Sequence, residues 1–145
     1  MSDILVIREG RPEDAAVCAA ILNRWIDATP WMPRIHPAED VERHYREDVF
    51  PRRTVWVAGT PVVGFLAFDP ESAVITALYV ATPGAGIGKT LIDHAKAKAS
   101  VLTLWTFVAN TGAQSFYRRE GFVDAERTEG DNDERLPDIQ MEWRA

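Results

Sequence analysis

Residues 73–100 read AVITALYVATPGAGIGKTLIDHAKAKAS, and their character changes twice. Val74-Ile75-Thr76-Ala77-Leu78-Tyr79-Val80 is rich in β-branched and aromatic side chains and short for a helix, and Pro and Gly follow it, which predicts a buried strand. Gly84, Gly86 and Gly88 then crowd a tight connection. Beyond it Ile87, Leu91, Ile92, Ala95 and Ala99 recur at helical spacing while Lys89, Lys96 and Lys98 keep to polar positions. The stretch is strand, glycine loop, helix. The first turn of a helix carries N–H groups without intrahelical partners and the positive end of the helix dipole, and glycines let a phosphate come close to them. The segment therefore has the makings of a phosphate site, although turn geometry alone would also use these glycines.

Three phosphate loops compete for these residues. The P-loop pattern ends in Gly88-Lys89-Thr90, but its first glycine would fall on Pro83. The dinucleotide pattern G-x-G-x-x-G fails because the spacing is Gly84-x-Gly86-x-Gly88. What remains is G-x-G-I-G after a strand ending Leu-Tyr-Val. This resembles the coenzyme A signature of the GNAT superfamily of N-acetyltransferases, Q/R-x-x-G-x-G/A, with Gly86-Ile87-Gly88 on its glycine core and Pro83 where the family has Q/R.

A second stretch supports the resemblance. Leu102 to Val108 reads as a strand and Asn110 to Phe122 as a short helix ended by Gly121. The order N-x-x-A-x-x-F-Y-x-x-x-G-F is similar to the other half of the GNAT coenzyme site. The resemblance implies an α/β fold of mixed type, one GNAT domain over residues 1–145, with a mostly antiparallel central sheet and flanking helices. It also implies acetyl-CoA as cosubstrate, an amine-bearing small molecule or protein as acceptor, and, from the family's habit, a homodimer.

Composition narrows the classes. At 145 residues and 46% hydrophobic content the chain suits one core without staples. It has no run of about eighteen apolar residues and no basic-then-apolar leader pattern, so a cytoplasmic protein with no membrane partner is expected. The lone Cys18, among the alanines of a predicted helix, reads as a small buried residue. A net charge of -6 with no concentrated basic face argues against a nucleic-acid partner and accommodates a cationic amine. The acidic stretch from Glu120 to Asp138 reads as a solvated loop. The histidines are scattered and no Cys partners them, so no metal is expected.

Along the chain, Ile4 to Arg8 predicts a first strand, and Pro12-Glu13-Asp14 opens a helix to about Asp27, with Val17, Ala20, Ile21 and Trp25 on its packing side. Residues 29–37 break the pattern with three prolines and place Trp31, Arg34 and His36 on a loop. A second helix is expected from Pro37, ending by Pro51. Thr54–Ala58 and Pro61–Phe68 flank Gly59-Thr60, a hairpin signal, and Val123-Asp124-Ala125 and Ile139–Trp143 are the closing strands.

Acetyl transfer to an amine requires an oriented thioester, an unprotonated amine and a proton for the departing thiolate. By the resemblance, backbone groups of Leu78 and Val80 pair with the pantetheine arm, Val80 N–H meets the thioester carbonyl, and Ala85, Gly86, Ile87, Gly88 and Lys89 receive the pyrophosphate. Tyr117 occupies the position of the family's general acid, and a phenol is protonated at neutral pH. Asn110 caps the short helix and borders the coenzyme. Trp31, Arg34 and His36 are acceptor-side candidates. The family's strand carboxylate is missing, since Thr76 and Ala77 stand there, leaving Glu39, Asp69, Glu71, His36 and His44 as candidate bases through water. A catalytically silent acyl-CoA-binding module of the same fold is the alternative.

Overall fold

The runs Val55–Ala58 and Phe65–Phe68 do not alternate with polar residues because both faces of their strands are covered. In the computed structural model, which describes residues 5–145, these runs lie in β2 (Thr54–Ala58) and β3 (Gly64–Asp69). Ile4, expected to open the first strand, lies outside the described residues; the strand β1 spans Ile7–Glu9. β4 (Val74–Val80), β5 (Val101–Phe107), β6 (Val123–Thr128) and β7 (Asp138–Arg144) complete one seven-stranded sheet, ordered β1-β2-β3-β4-β5-β7-β6. Among the described residues only the β4–β5 pair is parallel. The sheet is thus mixed and mostly antiparallel, as expected.

Strand alternation sends Val55, Val57, Phe65 and Ala67 to one face. There they meet Ala15, Cys18, Ala19 and Ile21 of α1 (Ala15–Ala28) and Tyr45. Trp56, Leu66 and Phe68 go to the other face, against Ile87, Leu91, Ile92 and Ala95 of α4 (Ile87–Lys96) and Tyr117 of α5 (Thr111–Arg119). Cys18 is fully buried, as expected, whereas Ala20 is exposed, because the buried stripe of α1 runs through Ala15, Cys18 and Ala19.

Two expectations are corrected by proline chemistry. The second helix starts as α2 (Ala38–His44), continues through a π-helical turn (Tyr45–Val49) and ends as α3 (Phe50–Arg52), past Pro51. Pro51 is the second residue of that last segment, directly after the π-helical turn, the part of the helix that departs from α geometry. The β2–β3 connection is longer than a two-residue hairpin. Val63 N–H donates to Ala58 O at 2.8 Å, and Pro61, which has no N–H for a ladder, stays in the turn.

The feature that makes a site is a break in pairing. Ala67 faces Ala77 while Phe68 faces Ile75, so Thr76 is the extra residue of a bulge. At that bulge β4 leaves β5: only Val74↔Thr103 and Ile75↔Leu104 pair. β5 stays paired with β7 along its whole length, from Val101↔Arg144 to Phe107↔Asp138. The sheet therefore opens between β4 and β5 from Thr76 onward.

Candidate active site

The edge of β4 that faces this opening carries free backbone groups. Ala81 N–H donates to Val63 O at 2.7 Å, and antiparallel alternation then directs the polar groups of Tyr79 and Ala77 toward β3. The N–H and C=O of Leu78 and Val80 are turned the other way, into the gap. The gap is the centre of a cleft of about 610 Å³ that reaches through the sheet, from Trp25 of α1 on one face to Gly88, Phe116 and Tyr117 on the other.

At its outer end the loop between β4 and α4 forms a cup. Gly84 and Gly86 hold φ of +81° and +78°, and a side chain at either would meet nothing within 4 Å, so the glycines serve backbone conformation and leave open space. The first N–H of α4 with a backbone acceptor is that of Thr90, on Gly86 O at 3.1 Å. Among the described residues, those of Ala85 to Lys89 have none. At Gly88 the requirement is close approach, since a Cβ there would lie 3.3 Å from the Phe116 ring. This row of unpaired donors at a helix N-terminus, with no side chain filling the concavity, fits a diphosphate. Gly86, Ile87, Gly88 and Lys89 line the cleft; Ala85 does not. The Lys89 ammonium is held by Glu120 at 3.1 Å and Asp93 at 3.3 Å, and the Glu120 hydrogen bond raises its pKa. Arg119, which the motif reading passed over, also lines the cleft and among the described residues makes no ion pair.

α5 supplies the opposite wall. Asn110 caps it by accepting from Ala113 N–H at 3.1 Å, as expected, and borders the cleft. Gln114, buried and missed by the sequence reading, donates to Phe107 O at 3.1 Å and Val108 O at 2.8 Å, fastening α5 to the free end of β5. Tyr117 lines the cleft between the rings of Phe116 and Phe122, and burial raises its phenol pKa above the ordinary value.

On the α1 face, the acceptor-side candidates separate. Trp31 packs edge-on to Trp25 and to Phe107, each at 5.7 Å between ring centroids, and so backs the cleft wall. Arg34 is a brace, bonded to Asp27 at 2.9 Å, to Asn23 at 3.1 Å and to His36 O at 3.0 Å. His36 is exposed and lines no part of the cleft. The sequence reading took Trp25 for packing alone; it lines the cleft, 5.3 Å from Tyr79. The acidic stretch is pinned, not merely solvated. The Thr128 hydroxyl donates to buried Asp138, Asn132 bridges Leu136 O at 2.7 Å and Asp138 at 3.2 Å, and Val108 N–H donates to Pro137 O at 2.9 Å. This network holds Glu134 half-buried near Tyr79, whose phenol is pushed up to about 12, first by burial and then by that carboxylate.

A family model described as an acetyltransferase (GNAT) domain matches residues 51–124. The peptidyl-lysine N-acetyltransferase YjaB of Salmonella typhimurium is 35% identical over 132 residues, 87% of this chain and 88% of that protein. The chain belongs to the GNAT acetyltransferase family. The solution structure of apo-form YjaB from Escherichia coli superposes with a TM-score of 0.79 at 27% identity, covering 97% of this chain and 98% of that one. The GNAT fold extends to yncA of Salmonella typhimurium, a structure with its cofactor acetyl-CoA, with a TM-score of 0.70 at 20% identity, covering 98% of this chain and 94% of that one.

GNAT acetyltransferases draw the acyl group from acetyl-CoA, and the cup and gap are where this chain has room and donors for it. The place of a GNAT strand carboxylate holds Thr76, the bulge residue, and Ala77. Of the candidate bases, Asp69 is occupied in its own turn, accepting from Glu71 N–H at 3.0 Å and Ser72 Oγ at 2.9 Å, and Glu39 and Glu71 are exposed. His44 borders a hollow of about 180 Å³ against β4, which it shares with Asp48, Arg53, Thr76 and Ala77. No helix among the described residues is long and apolar enough to cross a membrane.

Proposed function

We propose that this GNAT acetyltransferase moves the acetyl group of acetyl-CoA to the side-chain amine of a lysine in a protein, by direct attack in a ternary complex. The observation that carries the reading is the opening between β4 and β5, with the unpaired backbone of Leu78 and Val80 on one side and Tyr117 on the other. It joins the phosphate cup on the α4 face to the mouth on the α1 face, so donor and acceptor meet from opposite sides of the sheet. The two YjaB relatives, acting on peptidyl-lysine, support this choice of amine.

The free amine attacks the carbonyl carbon of the thioester that acetyl-CoA supplies, the C–S bond breaks with the thiolate as leaving group, and the proton shed by the nitrogen passes to solvent, from which Tyr117 is reprotonated after it has protonated the sulfur. Leu78 and Val80 orient the pantetheine arm as an added strand would be held, through main-chain hydrogen bonds that ask nothing of its side groups. Val80 N–H donates to the carbonyl oxygen, and that bond strengthens as negative charge develops there. Tyr117 Oη holds a proton for the sulfur. Its raised pKa keeps it protonated at neutral pH, and it gives the proton up only to a thiolate generated beside it. The loop from Ala85 to Lys89 takes the pyrophosphate through its N–H row, and Asn110 borders the coenzyme while capping α5. An acyl-enzyme route is disfavoured by Cys18, which is fully buried and has its thiol pushed up to about 12 by that burial. We read residues 1–145 as one such domain acting in the cytoplasm, and the family's dimer as its assembly.

The test is release of free thiol from acetyl-CoA with a panel of lysine-containing and lysine-free peptides, with mass spectrometry to locate the acetyl group. The expected result is thiol release stoichiometric with Nε-acetylation. Absence of release with every amine would return the chain to the silent binding module.

A further inference from the structure

At the α1-face mouth the cleft is lined by rings from separate segments, Trp25 from α1, Tyr79 from β4 and Phe107 from the free end of β5, and Trp31 from the proline-rich loop backs them. They touch in a chain, Tyr79 to Trp25 at 5.3 Å, Trp25 to Trp31 at 5.7 Å and Trp31 to Phe107 at 5.7 Å, in tilted and edge-on arrangements. All four are half-buried, and Trp25, Tyr79 and Phe107 present ring surface to the cleft while Trp31 holds Trp25 and Phe107 in place from behind. Aromatic edge-to-face packing of this kind fills a core elsewhere in the chain, but here it spans an opening from one lip to the other. We propose that this aromatic wall is the specificity element for the acceptor, seating the methylene stem and cationic head of a lysine side chain and rejecting α-amines.

The physical argument has three parts, and it rests on the function proposed above. A lysine presents four methylenes before its nitrogen, so the surface that enters the mouth is hydrocarbon, and hydrocarbon on ring carbon is favourable contact. An α-amine carries its peptide C=O and N–H next to the nitrogen, and against the same wall those groups lose water without an array of partners to replace it. The ammonium, before it loses its proton, is attracted to ring faces. Charge along the cleft points the same way. Arg119, and Lys89 with its partner Glu120, lie at the phosphate end, whereas among the described residues the ring end has no lining Lys or Arg, and Glu134, outside the lining, acts electrostatically on Tyr79. Tyr79 Oη makes no hydrogen bond among the described residues and is free to accept from the incoming nitrogen.

The experiment uses two peptides of one composition. One has a blocked N-terminus and a single lysine; the other has a free N-terminus and norleucine in place of lysine. Binding of each, fluorescently labelled at the C-terminus, is followed by anisotropy on the full chain saturated with coenzyme A. The lysine peptide should bind at least tenfold more tightly, and Trp25→Ala and Trp31→Ala should each shrink that ratio severalfold while circular dichroism shows an intact fold. Equal binding of the two peptides, no binding of the lysine peptide, or an unchanged ratio in both variants would overturn the proposal. Because the readout is binding and not turnover, it separates from the thiol-release test. A ring-dependent lysine preference without thiol release would leave the wall and remove the enzyme reading, and release without ring dependence would do the reverse.

Discussion

Asp14 and Tyr117 are both buried, and the surroundings set the proton on each in opposite directions. The Arg8 guanidinium, at 2.7 and 3.0 Å, and the Arg11 N–H, at 2.8 Å, hold the Asp14 carboxyl below its ordinary pKa. Because the folded value is the lower one, this contribution is complete above the unfolded value near about 4 and disappears as pH falls through the folded value. Asp14→Asn should lower stability at neutral pH by about 2 kcal/mol, with the gap to the parent closing toward strong acid; urea titrations at several pH values measure it, and a pH-independent gap would refute the linkage. Tyr117 is raised by burial, and in the proposed reaction it acts in its protonated form. Turnover should therefore show no descending limb below about pH 10, and Tyr117→Phe should lower kcat by about a hundredfold while acetyl-CoA affinity stays within about twofold. An undiminished kcat in that variant would take Tyr117 out of the reaction.

The elements proposed to hold the coenzyme were legible because their signals are local. A β-branched run, a glycine cluster and a 3.6-residue period sufficed for β4, the loop and α4, and the observed β4, Val74–Val80, is the segment expected. Within that loop the glycines do different work, and two substitutions separate them. Gly86→Ala meets no neighbour but must hold φ near +78°, which costs about 1–2 kcal/mol of local strain and should weaken acetyl-CoA binding only modestly. Gly88→Glu drives its Cβ onto Phe116 and brings a carboxylate among the N–H donors, so binding should fall by more than a hundredfold by calorimetry. Equal effects from the two would mean that the cup's shape, not its charge and clearance, governs affinity. What the sequence did not yield at this scale was orientation. Trp25 sits on an apolar helix face, where packing is the ordinary reading, and only the position of α1 beside the gap makes it a wall. Pro51 and Pro61 misplaced boundaries because proline forbids a donor, not a position.

At the scale of the molecule, the site is a consequence of divided loyalty in the sheet. β4 is bonded to β3 along its length and β5 to β7 along its length, while β4 and β5 share only two residue pairs before the bulge at Thr76. No periodicity encodes that divergence, because it is set by the partners on the far sides of the two strands; the motif pair Gly86-Ile87-Gly88 and Asn110 to Phe122 implied it only through resemblance. The two sheet halves are accordingly joined near the gap more by helix packing than by ladder hydrogen bonds. A coenzyme seated against Leu78 and Val80 and walled by α5 would link them. Acetyl-CoA at about a hundred times its dissociation constant should add about 2.7 kcal/mol to stability, which for a chain of this size raises Tm by roughly 8 °C. Hydrogen exchange locates the effect: the amides of Leu78 and Val80, and those of the loop from Ala85 to Lys89, should slow on binding, whereas the β3-bonded amides of Ala77 and Tyr79 should change less. Slowing spread evenly along β4 would mean that the ligand tightens the sheet as a whole instead of pairing with its open edge, and an unmoved Tm at millimolar acetyl-CoA would leave the gap without the ligand proposed for it.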